Sequence, residues 1–149
     1  MEKLLDTAEL ERHIKLVYSK VIPIMKKDNI LVPLNTIFRE NTSFDFQGEF
    51  CFTDKNGYHF RITERNRIYR DDTTQNLFDI TYWTINGEIS EAAAIYESKN
   101  RIDNQDFRRI MFSKEIQYFE AIGDEYAQRA RLEIESILKK APFQDELFQ

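Results

Sequence analysis

Phe50-Cys51-Phe52-Thr53-Asp54-Lys55-Asn56-Gly57-Tyr58-His59-Phe60-Arg61-Ile62-Thr63 is the stretch that decides the fold class. Apolar and polar residues alternate on both sides of Asn56-Gly57, and Asn-Gly between alternating runs is a strong hairpin signal. Phe44, Phe46, Phe50 and Phe52 share one parity, which projects them to one sheet face. On the return, Tyr58, Phe60 and Ile62 alternate with His59, Arg61 and Thr63. Glu64-Arg65-Asn66-Arg67 reads as a second turn and Ile68-Tyr69-Arg70 as a third short strand. The expectation is an antiparallel meander whose one apolar face must be covered.

The flanks read as helix. Asp6-Thr7-Ala8-Glu9 is a helix start in which Asp6 or Thr7 caps and Glu9 reaches back. Leu10, Ile14, Val17 and Val21 follow at helical spacing, and Pro23 should end or kink that helix near Val21. Residues 24–33 look like a connection that dips into the core through Ile30, Leu31 and Val32. After the meander, Asp72, Thr73 and Thr74 are cap candidates for a long helix. Phe78, Tyr82, Ile85, Ile89, Ala92, Ala93 and Tyr96 form its stripe, and Gly87 inside it costs about 1 kcal/mol relative to alanine, which leaves room for a kink there. A further helix starts near Asn104 and buries Phe107, Ile110, Met111, Tyr118, Phe119 and Ile122, until Gly123-Asp124 breaks it. The last carries Tyr126, Ala130, Ile134, Ile137 and Leu138 and closes before Pro142. The expected class is α+β: an N-terminal helix, a small meander, then three C-terminal helices covering one sheet face.

The 149 residues are 42% hydrophobic and 13% aromatic, with four glycines and three prolines. A chain of that size and make-up buries about two thirds of its unfolded surface, so a single domain, residues 1–149, is expected to fold without metal or disulfide. The lone Cys51 fits a reducing compartment. No apolar run of signal or membrane-spanning length appears, which points to the cytoplasm. The formal net charge is -5 with a pI near 5.2. Duplex DNA is thereby disfavoured as a partner, because phosphate contacts need clustered lysine and arginine; a mildly acidic surface suits a basic partner, while a charge of this size is also accounted for by plain solubility.

Little chemistry is legible. Two histidines, His13 and His59, and one cysteine fall on different elements without metal-ligand spacing. There is no Gly-x-Ser-x-Gly elbow and no clustered glycine to cradle phosphate. Cys51 alternates out of the Phe50/Phe52 face and reads as structural. Asp71-Asp72, Asp103 and Asp106 have a sufficient role as helix caps. No cofactor and no metal is expected.

What remains is the polar stretch Tyr96 to Arg109. Glu97 and Arg101 stand one turn apart, in the favourable order for an ion pair. Asp106 lies beside Arg108 and Arg109, and guanidinium forks suit carboxylates. Such residues form either a satisfied network fixing a helix junction or the polar rim of an interface anchored by Tyr82, Trp83 or Tyr96.

The order of Gly57-Tyr58-His59-Phe60 with Glu64-Arg65, Thr73-Thr74 with Leu77 and Tyr82-Trp83, Tyr96-Glu97 with Asn100-Arg101-Ile102, and Asn104-Gln105-Asp106-Phe107-Arg108-Arg109 with Phe112 then acquires meaning. With Glu135, Ile137-Leu138 and Pro142-Phe143, the set resembles the immunity protein 63 family of bacterial polymorphic-toxin systems. The likeness covers roughly Gly57 to Phe143 and is nearly continuous from Tyr96 to Phe112. Thr81 departs from it, standing where the family usually has an apolar residue.

The resemblance implies a small cytoplasmic protein, not an enzyme, that binds a cognate toxin domain and blocks its active site. The acidic balance here suits a basic, nuclease-type toxin. The candidate network or partner-binding residues are Tyr58, Glu64, Arg65, Tyr82, Trp83, Tyr96, Glu97, Arg101, Asp106, Arg108 and Arg109. A rival surface is the poorly matched first half, Asn35 to Cys51 included. Two other classes stay open. A small enzyme would carry Glu97, Arg101, Asp106 and Arg108 in one deep cleft with a strongly perturbed carboxylate. A regulatory homodimer would show a self-complementary apolar patch; a monomer is the alternative state.

Overall fold

The structure is a computed structural model that describes residues 3–40 and 47–145. Its elements are α1 (Thr7–Ser19), α2 (Ile22–Lys27), β1 (Gly48–Asp54), β2 (Gly57–Glu64), β3 (Arg67–Thr74), α3 (Leu77–Lys99), α4 (Arg108–Ile122) and α5 (Asp124–Lys140). The class is α+β: an N-terminal helix, a three-stranded antiparallel sheet in the order β1-β2-β3, then three C-terminal helices. The chain divides into two compact units, residues 1–17 with 34–86 and residues 18–33 with 87–149. Among the described residues no helix is long and apolar enough to cross a membrane.

In the first unit, α1 opens with the reciprocal cap expected. Glu9 N–H donates to Asp6 Oδ1 at 2.8 Å and Asp6 N–H to Glu9 Oε1 at 2.9 Å. The β1–β2 turn falls one residue earlier than its Asn-Gly pair implies. Asp54 faces Gly57, so Lys55-Asn56 is the turn and Gly57 is already strand. A two-residue turn pairs odd with even positions, and this fixes the faces. Cys51 faces Phe60 and Phe52 faces His59, so Phe50 and Phe52 point one way while Cys51, Tyr58 and Phe60 point the other. All five are buried, and the expected single apolar face is replaced by two. Phe44 and Phe46 lie outside the described residues.

The free edge of β1 is closed by other backbone and side-chain groups. Ile37 pairs with Phe50, and Thr53 N–H donates to Thr7 Oγ1 at 3.0 Å. On the Cys51 face sits the first half of α3, where Thr84 Oγ1 lies 3.5 Å from Cys51 Sγ and donates to the Ile80 carbonyl at 2.7 Å. β3 is longer than expected and takes in residues 71–74. Asp71 and Asp72 are therefore not caps; they pair with Arg61 and Arg70. The α3 cap is Asn76, whose Oδ1 accepts the Asp79 N–H at 2.9 Å.

In the second unit, Pro23 begins α2 rather than merely ending α1, as a missing N–H costs nothing in a first turn. Ile30 and Val32 are buried, but Leu31 is exposed, the alternation of an extended segment. α3 runs through Gly87 as one helix. It buries Ile80, Thr81 and Thr84 as well as Tyr82, Ile85, Ile89, Ala92 and Ala93 of its predicted stripe, whose ends Phe78 and Tyr96 are half-buried, so it is enclosed on more than one side. Thr81 keeps its hydroxyl satisfied by donating to the Leu77 carbonyl at 2.7 Å. α4 starts at Arg108, later than expected, and this leaves Phe107 exposed while Phe112 is buried. α5 packs against α4, with Ile137 exposed rather than inside.

Candidate functional site

The polar stretch of the second unit is held together by Asp106, whose side chain is 0% exposed. Arg108 donates to it from Nη2 at 2.7 Å and from Nε at 3.1 Å and 3.2 Å. The Arg108 and Gln144 backbone N–H groups add two bonds of 3.0 Å. The Arg108 guanidinium, helped by these backbone donors, outweighs burial and holds the Asp106 carboxyl down at about 2.

The same arginine donates to the carbonyls of Ala141 and Pro142 at 2.8 Å and 2.9 Å. Arg109 makes a two-point bond to Asp145, and that guanidinium depresses the Asp145 carboxyl. Both guanidiniums lie over the Phe143 ring. The cluster is thus a clamp that fastens residues 141–145 to the start of α4. Glu97 and Arg101 form the anticipated pair, at 2.7 Å and 3.0 Å, although α3 ends at Lys99; Glu97 is buried and Arg101 exposed.

Beside the clamp is a hollow of about 510 Å³, whose lining includes Tyr96, Asn100, Ile102, Arg109, Lys114 and Gln117. Glu97, Arg101, Asp106 and Arg108 do not line it. Lys114 is 7% exposed, 3.0 Å from Asp28 Oδ2 and 2.7 Å from Gln117 Oε1, with its Nζ 3.9 Å from the Tyr96 ring centre. Tyr118 donates to the same Asp28 at 2.9 Å. Lys114 and Asp28 were not anticipated. The signal was present, because Lys114 sits on the apolar side of α4, four residues from both Ile110 and Tyr118.

The first-unit candidates separate into two kinds. Tyr58 and Tyr82 are buried; the Tyr58 hydroxyl accepts the Leu5 N–H at 2.9 Å. Trp83 is half-buried, with the Arg70 guanidinium 5.7 Å from its ring centre. Glu64 and Arg65 are exposed at the β2–β3 turn. His59 is buried on the sheet face: it stacks on Phe52 at 4.6 Å and bonds Asp54 at 2.7 Å and Thr73 at 3.0 Å. Among the described residues no group of three or more acidic, histidine or cysteine side chains is placed to hold a metal.

Comparison with known families gives one match: the model described as Immunity protein 63 fits residues 54–136. That span runs from the β1–β2 turn into α5 and includes all eleven candidate residues. No curated protein and no solved structure matches the chain.

Proposed function

Because the chain belongs to the immunity protein 63 family, we propose that it binds one cognate bacterial toxin domain in the producing cell's cytoplasm and neutralises it by covering its active centre. The whole chain acts as one immunity domain, as a monomer or homodimer, without cofactor or catalytic step. The family match carries this reading. The fate of the charged residues supports it: Asp106, Arg108 and Glu97 are spent on fixing the backbone, and a carboxyl held near 2 is a poor proton donor at neutral pH.

Buried Tyr58, Tyr82, Glu97 and Asp106 therefore act as scaffold, exposed Arg101 and Arg109 are held by Glu97 and Asp145, and exposed Glu64 and Arg65 are left for contact. An inhibitor of this kind needs about 800 Å² of its surface to be covered. The net charge of -5 steers encounter with a basic, nuclease-type toxin.

The test is co-expression of this chain with the toxin encoded beside it, followed by purification of the pair. Rescue of growth together with a stable one-to-one complex is the expected result. Death of the cells and separate elution would sink the reading.

A further inference from the structure

The outer end of the β2–β3 hairpin has three features that packing does not account for. Its turn, Arg65-Asn66, holds both φ angles positive, at 52° and 62°. That is type I′ geometry, in which glycine and asparagine sit at least cost; an arginine there stands against its backbone preference. Next, the strand register slips. Ile62 faces Arg70 and Thr63 faces Ile68, so Tyr69 has no opposite residue on β2. Bulges re-aim side chains, and here Tyr69 is 57% exposed beside Ile68 at 46%.

The third feature is charge. Arg65 and Arg67 are exposed and have no carboxylate partner among the described residues. Their neighbours Arg61 and Arg70 are paired to Asp71 and Asp72. The hollow in the second unit does not compete on this count, since its Lys114 is held by Asp28 and its Arg109 by Asp145.

We propose that the hairpin end, Arg65 to Tyr69, is the arm that docks this chain on a carboxylate-lined cleft of its toxin, a proposal that rests on the immunity reading above. Two uncommitted guanidiniums recognise carboxylates by two-point bonds. Tyr69 and Ile68 supply the apolar anchor between them, and tyrosine and arginine are the residue types that dominate protein contacts. Backbone strain persists where the conformation serves a contact. The acidic chain as a whole sets the long-range approach, whereas this cationic tip sets the local fit. Two free arginines on an acidic chain are too few for phosphate-driven nucleic-acid binding.

The experiment measures affinity of the full chain for the catalytically silenced toxin domain encoded beside it. Arg65→Glu with Arg67→Glu should weaken binding by about a hundredfold, and Tyr69→Ala by about tenfold, with unchanged melting temperatures. Arg65→Asn with Asn66→Gly should raise the melting temperature and still weaken binding. Lys55→Glu with Lys139→Glu, which alters net charge equally, should not weaken binding. A wild-type complex that the hairpin variants leave intact, or that the control weakens as much, overturns the arm and leaves the immunity reading standing. Absence of any wild-type complex removes both. Retention of duplex DNA or RNA through Arg65 and Arg67 also overturns the proposal.

Discussion

Replacing Asp106 with asparagine keeps the side chain's shape and removes its charge. The Arg108 guanidinium, itself only 17% exposed, then loses its counter-charge. Breaking one partner of a buried pair costs about 3 kcal/mol. The carboxyl's own displacement gives a second route to the size. Moving from 3.8 to about 2 corresponds to about 2 kcal/mol of stability at neutral pH. The two routes agree. For a chain of this length, about 3 kcal/mol lowers the melting temperature by about 6–12 °C.

The sign with pH follows from the depressed value. The contribution is complete above the ordinary carboxyl value and is lost as pH falls from about 4 through about 2. Melting curves by circular dichroism at pH 7, 4 and 2.5 test this. The gap between wild type and Asp106→Asn should be wide at pH 7 and should close at the acid end. Equal melting temperatures at pH 7, or a gap that ignores pH, would refute the clamp as a stabilising device.

Other consequences are checked more simply. Burial pushes the Cys51 thiol up to about 12, against a smaller opposing effect of Thr84, so iodoacetamide should label this protein only after unfolding; rapid labelling of the native chain at pH 8 would contradict the buried placement. Gly57→Ala puts a Cβ 2.7 Å from the Thr74 carbonyl oxygen at φ +133° and should cost about 2 kcal/mol in urea unfolding. Gly123→Ala meets only Tyr126 at 3.5 Å and should cost less than about 1 kcal/mol by the same measurement. Thr81→Val removes a hydroxyl bonded only locally to Leu77; its unfolding free energy should stay within about 1 kcal/mol of wild type, and a larger loss would give that hydroxyl a role its local bond does not.

The elements with strong local signals were legible. The Asp6–Glu9 cap, the hairpin at Asn56-Gly57 and the break at Gly123 each depend on neighbouring residues alone. The exact register was not legible, but the faces were and were misread: any two-residue turn pairs odd with even positions, wherever along the chain it sits. Phe50 and Phe60, both even, were expected together and are found apart for that reason. Asp71 and Asp72 carried cap-like identity, yet in β3 they pair with Arg61 across the strands and with Arg70 two residues back. The Glu97–Arg101 and Asp106–Arg108 pairs were readable from spacing. Asp145 and Phe143 were not, since the clamp joins positions up to 39 residues apart. The exposed hairpin end was seen as a turn only; its free arginines and the bulge at Tyr69 are properties of pairing.

The clamp also imposes an order in time. Asp106 is made before its backbone donor Gln144, which follows 38 residues later. At ordinary rates of chain synthesis that is a wait of about 2–8 s. During the wait the Asp106 carboxylate and the arginines beside it remain hydrated. The second unit therefore completes its folding only after residues 141–145 have left the ribosome, and a nascent chain stalled at Lys140 would hold α4 without its fastening.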